Sequence, residues 1–257
     1  MTAADRLARA LGDARWTIAV SGGVDSMTLA SFAHRLGTRP RILHADGPAV
    51  PREAGARLRA HAEAEGWDLA IIDARELADP AYRANPQNRC YFCKSNLYRA
   101  IFARLAEAAP GPVASGTNLD DLGDFRPGLE AAREFGVRHP LVEAGIDKPG
   151  LRALARGLGL VFADIPAAPC LSSRVETGIA IDPADLAFID GLETRLRSLL
   201  PPGDLRVRLR RDGVHVEAVT PAPEPARALA ANACAESGRI LAGWEPYRRG
   251  SAFLGAK

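Results

Sequence analysis

The sequence predicts an α/β fold in which a helix-covered parallel sheet is followed by a smaller α+β domain. In the first part of the 257-residue chain, short β-type runs alternate with helical patterns, which is the order typical of parallel sheets. Beyond residue 176 the order changes to a helix, a pair of alternating strands, a further helix and a last strand. We therefore predict domains over residues 1–176 and 177–257.

The first predicted element is an amphipathic helix over residues 1–13. Apolar and β-branched runs predict strands over residues 16–20, 41–44, 69–73 and 112–115, and helical spacing predicts helices over residues 26–36, 52–66 and 94–108. Pro149 and Gly150 predict a turn before a further helix over residues 151–160. Because parallel sheets bind ligands beside the carboxyl ends of their strands, we look for a site in the loops after these strands.

The second domain is predicted to begin with a helix over residues 182–200, which Pro201, Pro202 and Gly203 terminate. Alternating residues predict strands over residues 205–209 and 214–218 on either side of a turn at residues 211–213. A helix over residues 223–236 and a strand over residues 239–244 complete a small α+β unit.

Composition and charge exclude several classes of protein. A chain that is 47% hydrophobic and 25% charged is neither disordered nor fibrous. Its formal net charge of +2 lacks the basic surplus of a protein held to nucleic acid by phosphate neutralisation, so we expect no nucleic-acid partner. No apolar run reaches the ~18 to 20 residues that cross a bilayer, so we expect no membrane contact and a cytoplasmic location.

The clearest motif is a glycine-rich loop over residues 21–26, which follows a predicted strand and opens a predicted helix. Its glycines, Gly22 and Gly23, let the backbone approach a phosphate closely, and Ser21 and Ser26 add hydroxyl donors. Asp25 would repel a phosphate unless Mg²⁺ or a structural partner intervenes, so the loop predicts a metal-bound polyphosphate. The alternative interpretation is an ordinary strand-to-helix turn.

The loop, written SGGVDS, resembles the pyrophosphatase loop of the PP-loop ATP pyrophosphatase superfamily. Members of that superfamily cleave ATP between the α and β phosphates and adenylylate a carbonyl or carboxyl oxygen. The resemblance therefore implies ATP with Mg²⁺ at Ser21, Gly22, Gly23, Asp25 and Ser26.

Further segments extend the resemblance along the chain and narrow it to the LarE family of ATP-dependent sulfur transferases. They read NRCYFCK at 88–94, GTNLDD at 116–121, GDFRPG at 123–128, PCLSSR at 169–174 and YRRGS at 247–251. The family implies that a carboxylate of a pyridinium-3,5-dicarboxylate mononucleotide is activated as an acyl adenylate and converted to a thiocarboxylate, a precursor of the nickel-pincer cofactor. It also implies a homo-oligomer, while the sulfur donor stays unknown.

Cysteines are the candidate sulfur-handling residues. Cys90 and Cys93 precede a predicted helix and can hold zinc or part of an iron–sulfur cluster, and Cys170 would supply a third ligand if its loop folds over the ATP site. The family implies two sulfur sources: sacrifice of Cys170, which leaves dehydroalanine, or a 4Fe-4S cluster on all three cysteines. We expect the cluster, with zinc also compatible, and we interpret Cys234 as a buried apolar residue.

Arginines recur on one predicted strand at residues 206, 208 and 210, so their side chains project from one face of the sheet. One interpretation is a solvated sheet edge, and the other is a clamp for a substrate phosphate. By position, Arg206 and Arg208 match phosphate-binding arginines of the resembled family, and Arg174 is a third candidate.

The remaining polar candidates follow the strand at residues 112–115. Gly116, Asn118 and Asp121 lie where a parallel sheet contacts ATP or Mg²⁺, although Asn and Asp are also ordinary turn residues. We interpret Glu193 as a solvated helix position. Ile165 stands where the family usually has lysine, so a related carboxylate stays open as the acceptor.

Two other functions stay open at this point. A tRNA-thiolating PP-loop enzyme would share the loop and the cysteines but would need a broad basic surface. A nucleotide-binding or zinc-stabilised regulatory protein would bind without turnover.

Overall fold

A computed structural model describes residues 1–106, 111–123, 126–218 and 221–247 of the chain. These residues pack as two compact units. The first comprises the described residues of Met1–Glu76 and Asn88–Ala168, and the second comprises Leu77–Gln87 with the described residues from Pro169 onward. The sequence analysis divides the chain at residue 176 and does not anticipate that Leu77–Gln87 packs with the C-terminal part.

The helices and strands are numbered in chain order within the described residues. The helices are α1 (Ala3–Leu11), α2 (Val24–Arg35), α3 (Arg52–Glu65), α4 (Pro80–Arg83), α5 (Arg89–Leu105), α6 (Pro127–Glu134), α7 (Pro140–Glu143), α8 (Lys148–Gly157), α9 (Pro183–Arg197) and α10 (Glu224–Glu236). The strands are β1 (Thr17–Ala19), β2 (Arg41–Ala45), β3 (Asp68–Ile72), β4 (Val113–Ser115), β5 (Arg206–Arg210), β6 (Gly213–Ala218) and β7 (Leu241–Pro246). Short 3₁₀ turns lie at Glu76–Ala78, Leu119–Leu122 and Leu171–Arg174.

A parallel sheet in the order β3-β2-β1-β4 forms the centre of the first unit and confirms the predicted α/β fold. Ile18 on β1 is in register with Ile42 on β2 and with Ala114 on β4, and all three side chains are completely buried. Because apolar residues continue across neighbouring strands, helices must cover the sheet. The carboxyl ends of β1 and β4 consequently lie side by side.

Helices cover this sheet with separate apolar clusters. Most of α2 is buried, including Met27 and Leu29, and it packs near α8 in a cluster that contains Trp16. Another cluster joins α5 and α6 to β4 through residues such as Tyr98 and Ile101. The loops at the carboxyl ends of the strands are therefore held between well-packed helices.

The second unit is built on the sheet β5-β6-β7, in which β6 runs antiparallel to β5 and parallel to β7. Helix α9 packs against β5 and α10 packs against both α9 and β7. The segment Leu77–Gln87 is tied in by Asn85, whose side-chain amide donates to the carbonyl oxygens of Glu176 and Ile179, each at 2.9 Å. Asn85 is completely buried, so these bonds satisfy a polar side chain in the interior.

Helix α5 begins earlier than predicted, at Arg89 rather than residue 94. Cys90 and Cys93 therefore lie inside the first turns of the helix instead of before it. Residues 107–108 of the predicted helix lie outside the described residues. No helix in the described ranges combines the length and apolarity needed to span a membrane.

Candidate functional site

The loop between β1 and α2 is organised around the hydroxyl of Ser26. That hydroxyl accepts from the backbone N–H of Ser21 at 3.1 Å and lies 3.3 Å from both the Ser21 hydroxyl and the carbonyl oxygen of Gly23. Gly23 is the residue before α2 and has no side chain to cap the first N–H groups of that helix. The loop thus presents backbone donors at a helix N-terminus, as an anion requires.

Neighbouring backbone lies too close to Gly22 in this loop and to Gly116 after β4 for either residue to carry a side chain. A Cβ on Gly22 would lie 2.5 Å from the carbonyl oxygen of Ala54, and its φ of +79° favours glycine independently. A Cβ on Gly116, which follows β4, would lie 2.5 Å from the backbone nitrogen of Ser26. The loop after β1 therefore packs against α3 at Gly22, and the loop after β4 packs against Ser26 at Gly116, with no space for a side chain at either position.

Asp25 is held by partners from two other segments of the same unit. Its carboxylate pairs with the Lys148 ammonium group and accepts a long bond of 3.4 Å from the Asn118 amide. Burial raises the pKa of the Asp25 carboxyl, Asp121 adds to the rise, and the hydrogen bond and charge of Lys148 oppose it. Lys148 is thus the structural partner that the sequence analysis allowed for but did not identify.

Asn118 and Asp121 cap the turn after β4. The Asn118 side chain accepts from the backbone of Asp120 at 3.0 Å, and Asp121 accepts from the backbone of Asn118 at 3.1 Å. The side-chain carboxylate of Asp120 accepts from the backbone N–H of Lys148 at 3.1 Å. This turn therefore fixes the start of α8 and places Lys148 beside the loop.

A further cation, from α8, contacts the segment around Ile165, where the resembled family usually has lysine. Arg152 on α8 donates to the carbonyl oxygens of Ala163 at 2.6 Å and Ile165 at 2.8 Å. Its positive charge also lowers the pKa of Asp25, so it acts on the loop electrostatically. The segment around Ile165 is therefore in contact with a cation, although Ile165 itself carries no charge.

Cys90 and Cys93 are three residues apart on α5, which places their side chains on one face of the helix, one turn apart. Cys90 is exposed and Cys93 is half-buried. Cys234 is 1% exposed on α10 and burial raises its pKa, which confirms its interpretation as a buried apolar residue.

Cys170 lies in the second unit, immediately before the turn Leu171–Arg174, and is half-buried. Its carbonyl oxygen accepts from the Ser173 backbone at 3.0 Å, the Ser173 hydroxyl at 2.7 Å and the Arg174 guanidinium at 3.2 Å. The backbone of Cys170 is therefore fixed, and the residue as a whole is only partly buried.

Arg174, the last residue of the PCLSSR segment, is buried and forms a bidentate ion pair with Glu193. The guanidinium donates to the two carboxylate oxygens at 3.0 and 3.2 Å and also to the Pro169 carbonyl at 2.5 Å. Glu193 is only 3% exposed, so the interpretation of Glu193 as a solvated position is wrong. The sequence carries a signal for this burial. Glu193 follows buried Ile189 by four residues and buried Leu186 by seven, which places it on the same face of α9.

Two of the three arginines of β5 are buried rather than solvated, and Arg210 is partly exposed. Arg206 and Arg208 are 6% and 7% exposed, so the alternative of a solvated edge is wrong for both. Glu217 on β6 accepts from Arg208 at 3.1 Å and from Arg210 at 2.9 Å, which confirms that these two side chains share a face. Burial and the nearby charge of Arg174 lower the pKa of Arg206, so an anion at this position would relieve repulsion between the two cations.

Two relatives are similar to this chain over most of its length, and the second of them shows the family. The chain is 40% identical over 199 residues to an uncharacterised protein of Synechocystis, covering 77% of this chain and 73% of the relative. It is 31% identical over 205 residues to the pyridinium-3,5-bisthiocarboxylic acid mononucleotide synthase of Lactiplantibacillus plantarum, covering 79% of this chain and 74% of that enzyme. The chain belongs to the LarE family.

A more distant relative is consistent with a PP-loop domain in this LarE-family chain. The B subunit of a glutamine-hydrolysing GMP synthase from Methanopyrus kandleri is 29% identical over 172 residues, covering 62% of this chain and 54% of the relative. The four-stranded parallel sheet is the PP-loop domain, and the separate three-stranded sheet belongs to the smaller α+β domain. No family model matches the chain.

Some predicted features are not tested by the geometry. Asp124 and Phe125 of the GDFRPG motif and residues 248–251 of the YRRGS motif lie outside the described residues. In the part of the chain that the structure describes, no group of three or more His, Cys, Asp or Glu side chains is arranged to hold a metal ion. Cys90 and Cys93 lie in one unit and Cys170 in the other, so the three-cysteine cluster stays a prediction.

Proposed function

We propose that this chain uses ATP to adenylylate a carboxylate of a pyridinium-3,5-dicarboxylate mononucleotide and converts it to a thiocarboxylate. The likeness to the Lactiplantibacillus plantarum synthase over 79% of the chain carries the proposal. The glycine loop supports it with a cradle for phosphates, and the fixed backbone of Cys170 supports it with a positioned thiol.

In this proposal, the backbone N–H groups and hydroxyls of residues 21–26 bind the phosphates of ATP. The substrate carboxylate attacks the α-phosphate and pyrophosphate leaves, so that the carboxyl oxygen becomes part of a good leaving group, AMP. Holding the carboxylate and ATP together makes their reaction nearly unimolecular. A sulfur nucleophile then displaces AMP.

The carboxylates of Asp25 and Asp121 fit Mg²⁺, because hard oxygen donors are what that ion prefers and Asp121 is close enough to raise the pKa of Asp25. Bound there, Mg²⁺ would neutralise charge on the departing pyrophosphate.

The cysteine thiols fit an iron–sulfur cluster by donor type, since soft thiolates are its usual ligands. We propose that Cys90, Cys93 and Cys170 hold a 4Fe-4S cluster, which would supply the sulfur. Arg206 and Arg208 bind the substrate's phosphate in this proposal, and Arg174, whose guanidinium is buried against Glu193, adds its positive charge beside Arg206. The active form in this proposal is a homo-oligomer.

Stoichiometry tests the proposal. Purified protein with ATP and Mg²⁺ should release AMP and pyrophosphate in equal amounts when the dicarboxylate mononucleotide is added. The same assay with a related monocarboxylate tests the acceptor. Release of ADP and phosphate, or no dependence on either carboxylate, would contradict the proposal.

Asp25→Asn should lower pyrophosphate release by about tenfold or more, because the change removes a charge that faces the metal without changing side-chain size. The pH profile adds a second readout. The raised pKa of Asp25 means that the wild-type rate should fall, as the pH decreases, at a higher pH than an ordinary aspartate would give. Asp25→Asn should lack this acid limb.

Asp164→Asn is the matched control, because Asp164 is 70% exposed and pairs with Arg156 on the surface. Its rate and pH profile should match those of the wild type. An Asp25→Asn protein with wild-type pyrophosphate release would remove Asp25 from the proposed site.

Arg206→Ala should weaken binding of the mononucleotide by about 1.5 to 3 kcal/mol while ATP affinity stays unchanged, since one charge-assisted phosphate bond is lost. Arg208→Ala should show the same loss and also lower the melting temperature, because Glu217 is 1% exposed and would lose one of its ion-pair partners. Calorimetric titration with each ligand measures both affinities.

Arg211→Ala controls for the loss of positive charge, because Arg211 is 74% exposed at the end of the same strand. It should bind both ligands normally. Equal loss of ATP and mononucleotide affinity in Arg206→Ala would show that the arginine supports the fold and does not recognise the substrate.

A further inference from the structure

Helix α3 contributes an arginine to the phosphate loop that the sequence motifs do not include. Arg57 donates two hydrogen bonds to the carbonyl oxygen of Gly22, from Nε at 3.1 Å and from Nη2 at 2.8 Å. Two N–H groups of one guanidinium therefore donate to a single backbone oxygen in the loop.

The peptide that Arg57 holds is one that needs an external restraint. It joins Gly22, whose φ is +79°, to Gly23, whose φ and ψ are −85° and 159°. Glycine on both sides leaves the flanking dihedral angles soft, so rotation of this peptide plane meets little steric resistance. A flip would exchange the positions of the Gly22 carbonyl and the Gly23 N–H.

The direction of the carbonyl determines the direction of the N–H. In a planar trans peptide the C=O and N–H groups point to opposite sides. Because Arg57 fixes the Gly22 carbonyl toward α3, the Gly23 N–H points back into the loop, where it lies 3.4 Å from the Ser21 hydroxyl oxygen. That distance is longer than an ordinary hydrogen bond, so the N–H keeps most of its capacity to donate to an anion.

We propose that Arg57 is a positioning residue that prevents the Gly22–Gly23 peptide from flipping and so keeps the Gly23 N–H directed at the phosphates of ATP. The inference rests on the proposed function, since it deepens the role of the same loop. A flipped peptide would present a carbonyl oxygen to the phosphate and repel it. A donor oriented in advance stabilises developing charge without reorganisation of the loop.

Arg59 provides a matched control on the same helix. It is exposed, and its guanidinium pairs with Asp46 rather than with the loop. Arg57→Met and Arg59→Met each remove one cation from α3 and keep a side chain of similar length. Arg57→Lys keeps the charge but loses the paired donors, and it serves if Arg57→Met does not fold.

Calorimetric titration with ATP, inorganic pyrophosphate and AMP, each with Mg²⁺, tests the proposal. Arg57→Met should bind ATP and pyrophosphate about tenfold or more weakly, with AMP affinity nearly unchanged because AMP lacks the phosphates that the loop holds. Arg59→Met should bind all three as the wild type does, and Arg57→Lys should fall between. Guanidinium ion added to Arg57→Ala should restore part of the lost affinity.

The amide resonance of Gly23 gives a readout that needs no ligand. It should broaden or split in Arg57→Met, as the peptide samples two orientations, and stay sharp in Arg59→Met. Wild-type affinity for ATP and pyrophosphate in Arg57→Met, or equal losses for AMP and ATP, would overturn the inference alone. Wild-type protein that binds neither ATP nor pyrophosphate would overturn the proposed function and this inference together.

Discussion

Cys170→Ala protein should release pyrophosphate when it is given ATP and the mononucleotide, yet transfer no sulfur. The reason is that, in the proposed function, carboxylate activation uses the loop over residues 21–26 and sulfur delivery uses a separate group. Pyrophosphate assay and mass analysis of the small-molecule product check the two steps independently. Loss of both steps, in a variant that melts like the wild type, would contradict this division.

The turnover number separates the two sulfur sources. If a cluster delivers sulfur, anaerobically prepared protein supplied with sulfide should give many products per chain, and the peptide containing Cys170 should keep its mass. If Cys170 is sacrificed, one product per chain should form and that peptide should be lighter by the mass of H₂S. Multiple turnovers with unmodified Cys170 are what the cluster predicts.

The cysteines on α5 provide the control for that experiment. With a cluster, Cys90→Ala and Cys93→Ala should lose bound iron and sulfur transfer together and still form the acyl adenylate. Cys234→Ala should retain both, because Cys234 is buried on α10 and is not one of the three proposed cluster ligands. Bound zinc, with activity that survives Cys90→Ala, would instead show that Cys90 and Cys93 form a structural zinc site.

Glu193→Ala should lower the free energy of unfolding by about 3 to 5 kcal/mol, because it leaves the buried Arg174 guanidinium without its carboxylate. The side chains of the pair are 0% and 4% exposed, so water cannot replace the lost partner. The backbone N–H of Val207 on β5 also loses its acceptor, Glu193 Oε1 at 3.0 Å. Denaturant unfolding measures the effect.

Arg197→Ala is the control for this prediction. Arg197 contacts the same carboxylate at 3.3 Å from one turn along α9, but its side chain is 36% exposed. Its loss should therefore cost at most about 0.5 kcal/mol. If Glu193→Ala costs no more than Arg197→Ala, the buried pair does not stabilise the second unit as described.

The parallel sheet was predictable because its strands are short apolar runs bounded by turn residues, and local patterns of that kind are visible without the structure. The geometry of the loop over residues 21–26 was predictable for the same reason, since the strand, the glycines and the helix adjoin in sequence, and phosphate binding by this loop stays a prediction. In contrast, Lys148 lies more than a hundred positions from Asp25, and no local pattern connects them. Its rarity was the available signal, because Lys94 and Lys257 are the only other lysines.

The segment Leu77–Gln87 is a second feature whose position no local sequence pattern reveals. Asn85 is one of the residues that tie it to the second unit, since it adopts a φ of +52° and donates to carbonyl oxygens about ninety residues away. Asn tolerates the left-handed region, so the residue reads as an ordinary turn in the sequence. The burial of Glu193 was also missed, because its charge was given more weight than its spacing from Ile189 on α9.

Transfer of labelled oxygen tests the central claim, that a carboxylate is activated by adenylylation, most directly. The mononucleotide is prepared with a heavy oxygen isotope in its carboxylates and allowed to react with ATP, Mg²⁺ and the wild-type protein. Because the carboxylate oxygen that attacks the α-phosphate leaves with AMP, the account predicts that each AMP carries one labelled oxygen and each product one sulfur in its place. AMP without the label would show that water cleaves ATP, and would contradict the account.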